Sequence, residues 1–323
     1  MTTSMLPVGL GMPVPGPLLP LFAIPTTAGT GSETTGMIIF DDTRTRCKTG
    51  IGHRRLKPTL GILDPDNTAT LPPEVTKYSG LDVLCHAIES YTALPFHRRP
   101  APKNSASRPT YQGSNPISDV WSIHALKTCV KFLQRAINDP EGDTEARSNM
   151  LLASTSAGIG FGNAGVHLCH GMSYPIASQV KSYRPSSGYL LASHEDDHPL
   201  IPHGHSVMVS APAVFRFTGQ ACPERHLHCA DILASVRNSG RTSRITYRYS
   251  NTSDYAGSIL ADEILELMHQ LSVPVGIRTL GYNEEDVPDL VKGTIQQERV
   301  TKISPRPVSP AELEALFLDS LDE

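Results

Sequence analysis

Short apolar runs dominate the first quarter of the chain, and helical periodicity dominates the rest. LFAIPTT (21–27), TGMIIFDD (35–42) and TLGILDP (59–65) read as strands, centred near 21–25, 36–40 and 59–63, the last stopped by its proline. After Pro73 the pattern changes. Leu81, Leu84 and Ile88 mark a helix, and a helical body is predicted from about residue 76. Leu126, Cys129, Val130, Leu133 and Ile137 mark a second helix over 118–138, ending at Asn138-Asp139-Pro140. Further helices are predicted from about Thr144 to Gly160 and over 257–271, where Leu260, Ile264, Leu267, Met268 and Leu271 form one stripe. Ser309-Pro310-Ala311-Glu312 is a capping box with proline in the first helical position, so a last helix opens there.

Three stretches break this pattern. Residues 95–116 form a Pro-rich loop carrying Arg98, Arg99, Lys103 and Arg108, which suits an acidic substrate or simply a solvated charge run. Residues 184–197 and 235–253 are polar, weakly periodic and read as loops or insertions. The first twenty residues, with five prolines from Pro7 to Pro20, read as an extended, poorly packed lead-in. Residues 1–43 hold no Lys or Arg, so neither an Arg-rich transit peptide nor a charged signal region is visible there.

Composition narrows the function without naming it. A chain of 323 residues with net charge −4 and 39% hydrophobic residues suits one large domain or two ordinary ones. It offers no electrostatic case for nucleic acid, and its apolar runs are far too short to span a membrane. Six cysteines without a C-x-x-C suit a reducing compartment. Spacing leaves a homo-oligomer open.

The candidate chemistry centres on GLDVLCHAIESY (80–91). Asp82 and His86 lie four apart, so on a helix they share a face one turn apart and can reach a common point. The plain alternative is a helix cap at Ser79 and Asp82 with a packed core histidine. VHLCHGMSYP (166–175) and Pro-His-Gly (202–204) add His170 and His203. One carboxylate and three imidazoles suit Fe(II) or Zn(II) and disfavour Mg or Ca. His167, one turn before His170, is placed to support a ligand; His194, His198 and His205 have no equally placed partner. No Ser-His-Asp arrangement stands out, so no catalytic residue is expected beyond the metal centre. TTAGTGSETT (26–35) follows a strand with two glycines and several hydroxyls. It reads equally as a phosphate nest or a tight hairpin, since Thr34 takes the third position of G-x-G-x-x-G and no G-K-[ST] is present.

IPTTAGTGSETT, KPTLGILDP, SGLDVLCHAIESYTALP, YQGSNPISD, GIGFGNAGVHLCHGMSYP, HPLIPHG, PERH and LVKGTIQQERVTK together resemble the iron-type alcohol dehydrogenase family, from about Leu21 to the C-terminus. The resemblance implies an iron-type alcohol dehydrogenase / dehydroquinate synthase-like architecture, N-terminally truncated: an α/β remnant followed by an all-α domain. On it, 1–20 is the lead-in, 21–75 the last strands of a dinucleotide-binding α/β domain, and 76–323 a helical metal-binding domain. It implies a metal-dependent oxidoreductase, mitochondrial by family, that oxidises 4-hydroxybutyrate to succinate semialdehyde while reducing 2-oxoglutarate to 2-hydroxyglutarate through bound NAD. The family's ligands fall on Asp82, His86, His170 and His203, and its cofactor loop on Thr26, Thr27, Gly29, Thr30 and Ser32, with Lys48 beside it. Tyr174 stands where many members have His, which weakens a side-chain proton relay there. The family's Gly-Gly-Gly-Ser phosphate loop belongs ahead of the first strand, so NAD is expected to be held weakly or lost in this chain. Two other readings stay open: a general NAD-dependent iron-type alcohol dehydrogenase, marked by turnover that needs free NAD, and an inactive metal-binding form, marked by metal uptake without cofactor.

Overall fold

The computed structural model describes residues 14, 16–42, 47–103, 108–185, 189, 198–237 and 253–323. Most of the expected loops at 184–197 and 235–253, and most of the lead-in, lie outside these residues; residues 235–237, expected in a loop, instead close a helix that ends at Arg237. Two small sheets come first. β1 (Phe22–Ala23) pairs in parallel with β4 (Leu60–Gly61), in register Phe22 with Leu60. β2 (Met37–Asp42) pairs antiparallel with β3 (Cys47–Gly52), from Met37 opposite Gly52 to Asp42 opposite Cys47. The β1–β2 hairpin is therefore not formed. β3 is an addition to the sequence reading: CKTGIG has two glycines and almost no apolar alternation, and its extended backbone comes from pairing with β2. Phe22, Ile24, Leu60 and Ile62 of the first pair stand exposed.

Helices make up the body. α1 (Pro73–Thr92) begins with proline at its first position, six residues before Ser79, so Ser79 and Asp82 are helix interior and cap nothing. α2 (Pro116–Asn138) starts two residues earlier than its apolar stripe suggests, because Asn115 caps it by accepting from the Ser118 amide at 3.0 Å. α3 (Thr144–Ala164) is capped by Asp143 and runs four residues past the expected end. α4 (Leu168–Ser178), α5 (His203–Met208), α6 (Ala211–Thr218) and α7 (Pro223–Arg237) follow. α8 (Ala256–Gln270), α9 (Val287–Ile295), α10 (Glu298–Thr301) and α11 (Pro310–Asp319) complete the chain. At α11 the capping box forms in both directions, Ser309 to the Glu312 amide and Glu312 back to the Ser309 amide.

α1 is the axis of this body. Leu81, Val83, Leu84, Cys85, Ala87 and Ile88 are all buried, on every side of the helix. Such a helix has no solvent face and needs partners all round. α2, α3, α5 and α7 supply them. Gly80 lets α2 approach: a Cβ there would lie 2.2 Å from Leu133 Cδ1. No described helix is long and apolar enough to cross a membrane.

One buried histidine away from the candidate ligands gives the fold a pH limit. His226 on α7 is fully enclosed, with Nε2 3.0 Å from Thr218 Oγ1 and Nδ1 2.9 Å from the Cys222 carbonyl. Burial holds its pKa down to about 4; the groups facing it are the Cys222 thiol, pushed up to about 12 by burial, and His167, held to about 4 by burial. The unfolded histidine titrates near 6.5, so the unfolded chain takes up the proton first. The stability from neutral His226 is whole above about pH 6.5 and is lost as pH falls towards 4, at about 1.4 kcal/mol per unit at most. Melting temperature is expected to fall across that window, and less steeply in His226→Gln; identical slopes would count against it.

Candidate metal centre

α1 presents Asp82, His86 and Glu89 at successive turns of one face, α4 brings His170, and α5 brings His203. The three imidazoles surround one carboxylate oxygen. Asp82 Oδ1 lies 3.3 Å from His170 Nε2, 3.7 Å from His86 Nε2 and 3.7 Å from His203 Nε2. Ligand atoms of Asp82, His170 and His203 all lie within 4.8 Å of one another. His86 stands at the edge of this trio, its ring stacked at 4.5 Å on His170 and at 4.0 Å on Phe161.

These atoms fit a divalent ion. Tetrahedral ligands about 2.0–2.2 Å from a metal stand about 3.3–3.6 Å apart, close to the separations from Asp82 Oδ1. Asp82 Oδ1 and His170 Nε2 are buried and without hydrogen-bond geometry to any described residue, although they face each other. Buried polar atoms are ordinarily satisfied, so the pair calls for something between them. His86 Nδ1 also lacks a partner among the described residues, and the ring is oriented instead by its stack on Phe161.

The electrostatics follow from this crowding. Burial raises the Asp82 carboxyl, but His86, His203 and His170 together outweigh it and hold it well below the usual carboxylate range. Burial takes His86 down to about 3, a neutral ring ready to ligate. Burial likewise lowers His203, whose side chain is 37% exposed and faces the way in.

Glu89 is the group that sequence reasoning missed. It is completely buried and accepts from the amides of His167 at 3.0 Å, Cys169 at 2.8 Å and His170 at 3.4 Å, at the start of α4. It also accepts from His170 Nδ1, which leaves Nε2 aimed at Asp82. A carboxylate behind a metal-facing histidine fixes its tautomer and its direction. Burial would raise Glu89, but His170 and His167 bring it to about 2. Its signal was present: Asp82, His86 and Glu89 follow a four-then-three spacing. His167 packs against the same carboxylate, Nδ1 to Oε1 at 3.4 Å, in a supporting place.

The expected cofactor loop lies against the same helices. Gly29 is buried where a Cβ would sit 3.0 Å from Ser79 Cβ, one turn before Asp82. Gly31 has φ 56°, donates to Ser154 Oγ at 3.1 Å, and has no room for a Cβ beside Ser154 and Gly158 of α3. Thr26, Thr30 and Ser32 remain exposed on its outer side, Thr27 is half-buried, and the Thr30 and Ser32 hydroxyls meet at 2.7 Å. Lys48 is on β3, its ammonium 3.3 Å from Asp41 and its charge bearing on His203. Arg98, Lys103 and Arg108 of the long loop are exposed, while Arg99 donates to the Tyr111 carbonyl.

Strand pairs lead into a helical body in which α1, α4 and α5 draw a carboxylate and three imidazoles together, an arrangement able to hold a divalent ion. A family model for the C-terminal part of the Fe-containing alcohol dehydrogenase family matches residues 110–182 and 197–321, and one for iron-containing alcohol dehydrogenase matches residues 2–65. The chain belongs to the iron-containing alcohol dehydrogenase family. The match begins at residue 2, earlier than the motifs alone indicate. Mitochondrial hydroxyacid-oxoacid transhydrogenase of Bos taurus is 54% identical over 316 residues, spanning 98% of this chain and 64% of that relative. Among solved structures, the iron-containing alcohol dehydrogenase of Thermococcus thioreducens superposes with TM-score 0.70 at 28% identity, over 96% of this chain and 66% of that one. Sulfoacetaldehyde reductase of Bifidobacterium kashiwanohense, in complex with NAD+, gives 0.69 at 25%, over 97% and 68%.

Proposed function

We propose that this chain carries the metal-binding part of a mitochondrial hydroxyacid-oxoacid transhydrogenase. The reaction is oxidation of 4-hydroxybutyrate to succinate semialdehyde, coupled through NAD to reduction of 2-oxoglutarate to 2-hydroxyglutarate. In this reading 21–75 is the end of a dinucleotide-binding domain and 76–323 the metal domain. The observation that carries it is the convergence of His86, His170 and His203 Nε2 on Asp82 Oδ1.

Asp82, His86, His170 and His203 would hold Fe(II) or Zn(II), which when bound supplies the Lewis acidity that eases loss of the substrate hydroxyl proton. The nicotinamide brings the hydride chemistry itself. The protein supplies position. Glu89 keeps His170 Nδ1 engaged so that Nε2 faces the ion, and Phe161 holds the His86 plane. Tyr174, where many family members have His, is held by Arg299, whose Nη2 donates to its hydroxyl at 2.8 Å. In this reading the loop 26–32, which packs on Ser79, would meet the nicotinamide side of the cofactor.

His203→Ala is expected to lose stoichiometric metal and hydride transfer together, read by elemental analysis and by formation of 2-hydroxyglutarate. One metal per chain retained in that variant would overturn the ligand assignment. Transfer that proceeds without added free NAD separates a transhydrogenase from a general alcohol dehydrogenase.

A further inference from the structure

Arg299, on α10, is a cation with no anion beside it among the described residues. Its guanidinium stands between two buried rings, 5.1 Å from the Tyr111 centroid and 5.9 Å from that of Tyr174. Nη2 donates to Tyr174 Oη at 2.8 Å. Nη1 is buried and hydrogen-bonds to no described residue. No carboxylate among the described residues pairs with it; the adjacent Glu298 is turned to Lys302 at 2.5 Å. Stacking fixes the plane of the fork, and β3 closes its other side, since a Cβ on Gly50 would lie 3.4 Å from Nη2. An enclosed guanidinium held so rigidly, with one edge unanswered, is poorly compensated unless an anion completes it.

Its place identifies the anion. Tyr174 follows His170 by one turn on α4, so the two side chains share a face. The Tyr174–Arg299 pair thus stands next to the metal-facing histidine. Lys48, two residues from Gly50 on the same face of β3, bears on His203. We infer that Arg299 holds the carboxylate of short hydroxy and oxo acids whose reacting carbon lies at the Asp82, His170 and His203 centre. The inference rests on the reading above and deepens it: Arg299 is what separates acids from neutral alcohols. A planar guanidinium suits a carboxylate better than the exposed charges of 95–116 do.

Calorimetry on the Zn(II)-loaded protein tests it with two probes that differ only in charge at one end, 4-hydroxybutyrate and 1,4-butanediol. The unmodified protein is expected to favour the acid at least tenfold, about 1.4 kcal/mol, and Arg299→Met to erase that preference. If Arg299→Met does not fold, Tyr174→Phe, which frees Nη2, is expected to narrow the preference at least threefold. A preference that survives either folded variant, or its absence from the unmodified protein, overturns the inference. So does a loss of NADH affinity in Arg299→Met with the acid preference intact, which would make the anion a cofactor phosphate. An Arg299-dependent preference without hydride transfer leaves the inference standing and removes the transhydrogenase reading.

Discussion

Glu89→Ala is expected to cost this chain both its fold margin and its metal. The substitution strips acceptors from three amides at the start of α4 and from His170 Nδ1, all in a place closed to water. Breaking a buried charged pair by removing one partner costs about 3–5 kcal/mol. Loss of the group behind a ligating histidine lowers metal affinity by about 10–100-fold. Glu89→Gln divides the two effects. Its amide oxygen can still accept from the amides, so thermal stability should recover more than metal affinity does. Metal titration beside thermal unfolding reads both, and a Gln variant with full metal affinity would remove Glu89 from the centre.

Gly204→Ala is the second large expected effect, and it acts through space alone. A Cβ at Gly204 would lie 1.8 Å from the Tyr78 carbonyl oxygen and 3.2 Å from the Asp82 amide. Both belong to the backbone of α1, which cannot turn aside as a side-chain tip can. Overpacking of this kind costs about 1–3 kcal/mol. α5 must move off α1, taking His203 away from Asp82. Metal affinity should fall well beyond what the loss of stability explains, because the displaced residue is a ligand's neighbour. An Ala variant that binds metal normally would show that α5 and α1 do not need this contact.

Much of this arrangement was legible in the chain. Asp82 and His86 announce themselves because both lie on one helix, where spacing is geometry. His170 and His203 are separate in sequence, so the stretches around them nominate them as candidates but no spacing ties them to Asp82, and the resemblance strengthened the set. Glu89 shares the helical spacing of Asp82 and His86, but its role was not legible: a glutamate near the end of a helix usually reads as solvent-exposed, and only the arrival of α4 makes it an internal acceptor. Arg299 was hidden similarly, since one arginine in QQERVTK says nothing of the two tyrosines that enclose it. β3 escaped because its strand character belongs to its pairing with β2. The glycines of 26–35 were visible, but their purpose was not. They allow close approach to Ser79 and Gly158, which no local pattern encodes.

His203 differs from the other three proposed ligands in one respect, its partly open side chain on a six-residue helix behind Pro202. Asp82, His86 and His170 are sealed by the packing of α1 and α4. An ion held at the proposed centre would therefore meet solvent past His203 and not through the packing of α1 and α4, so a chelator is expected to remove it from the folded chain without unfolding it.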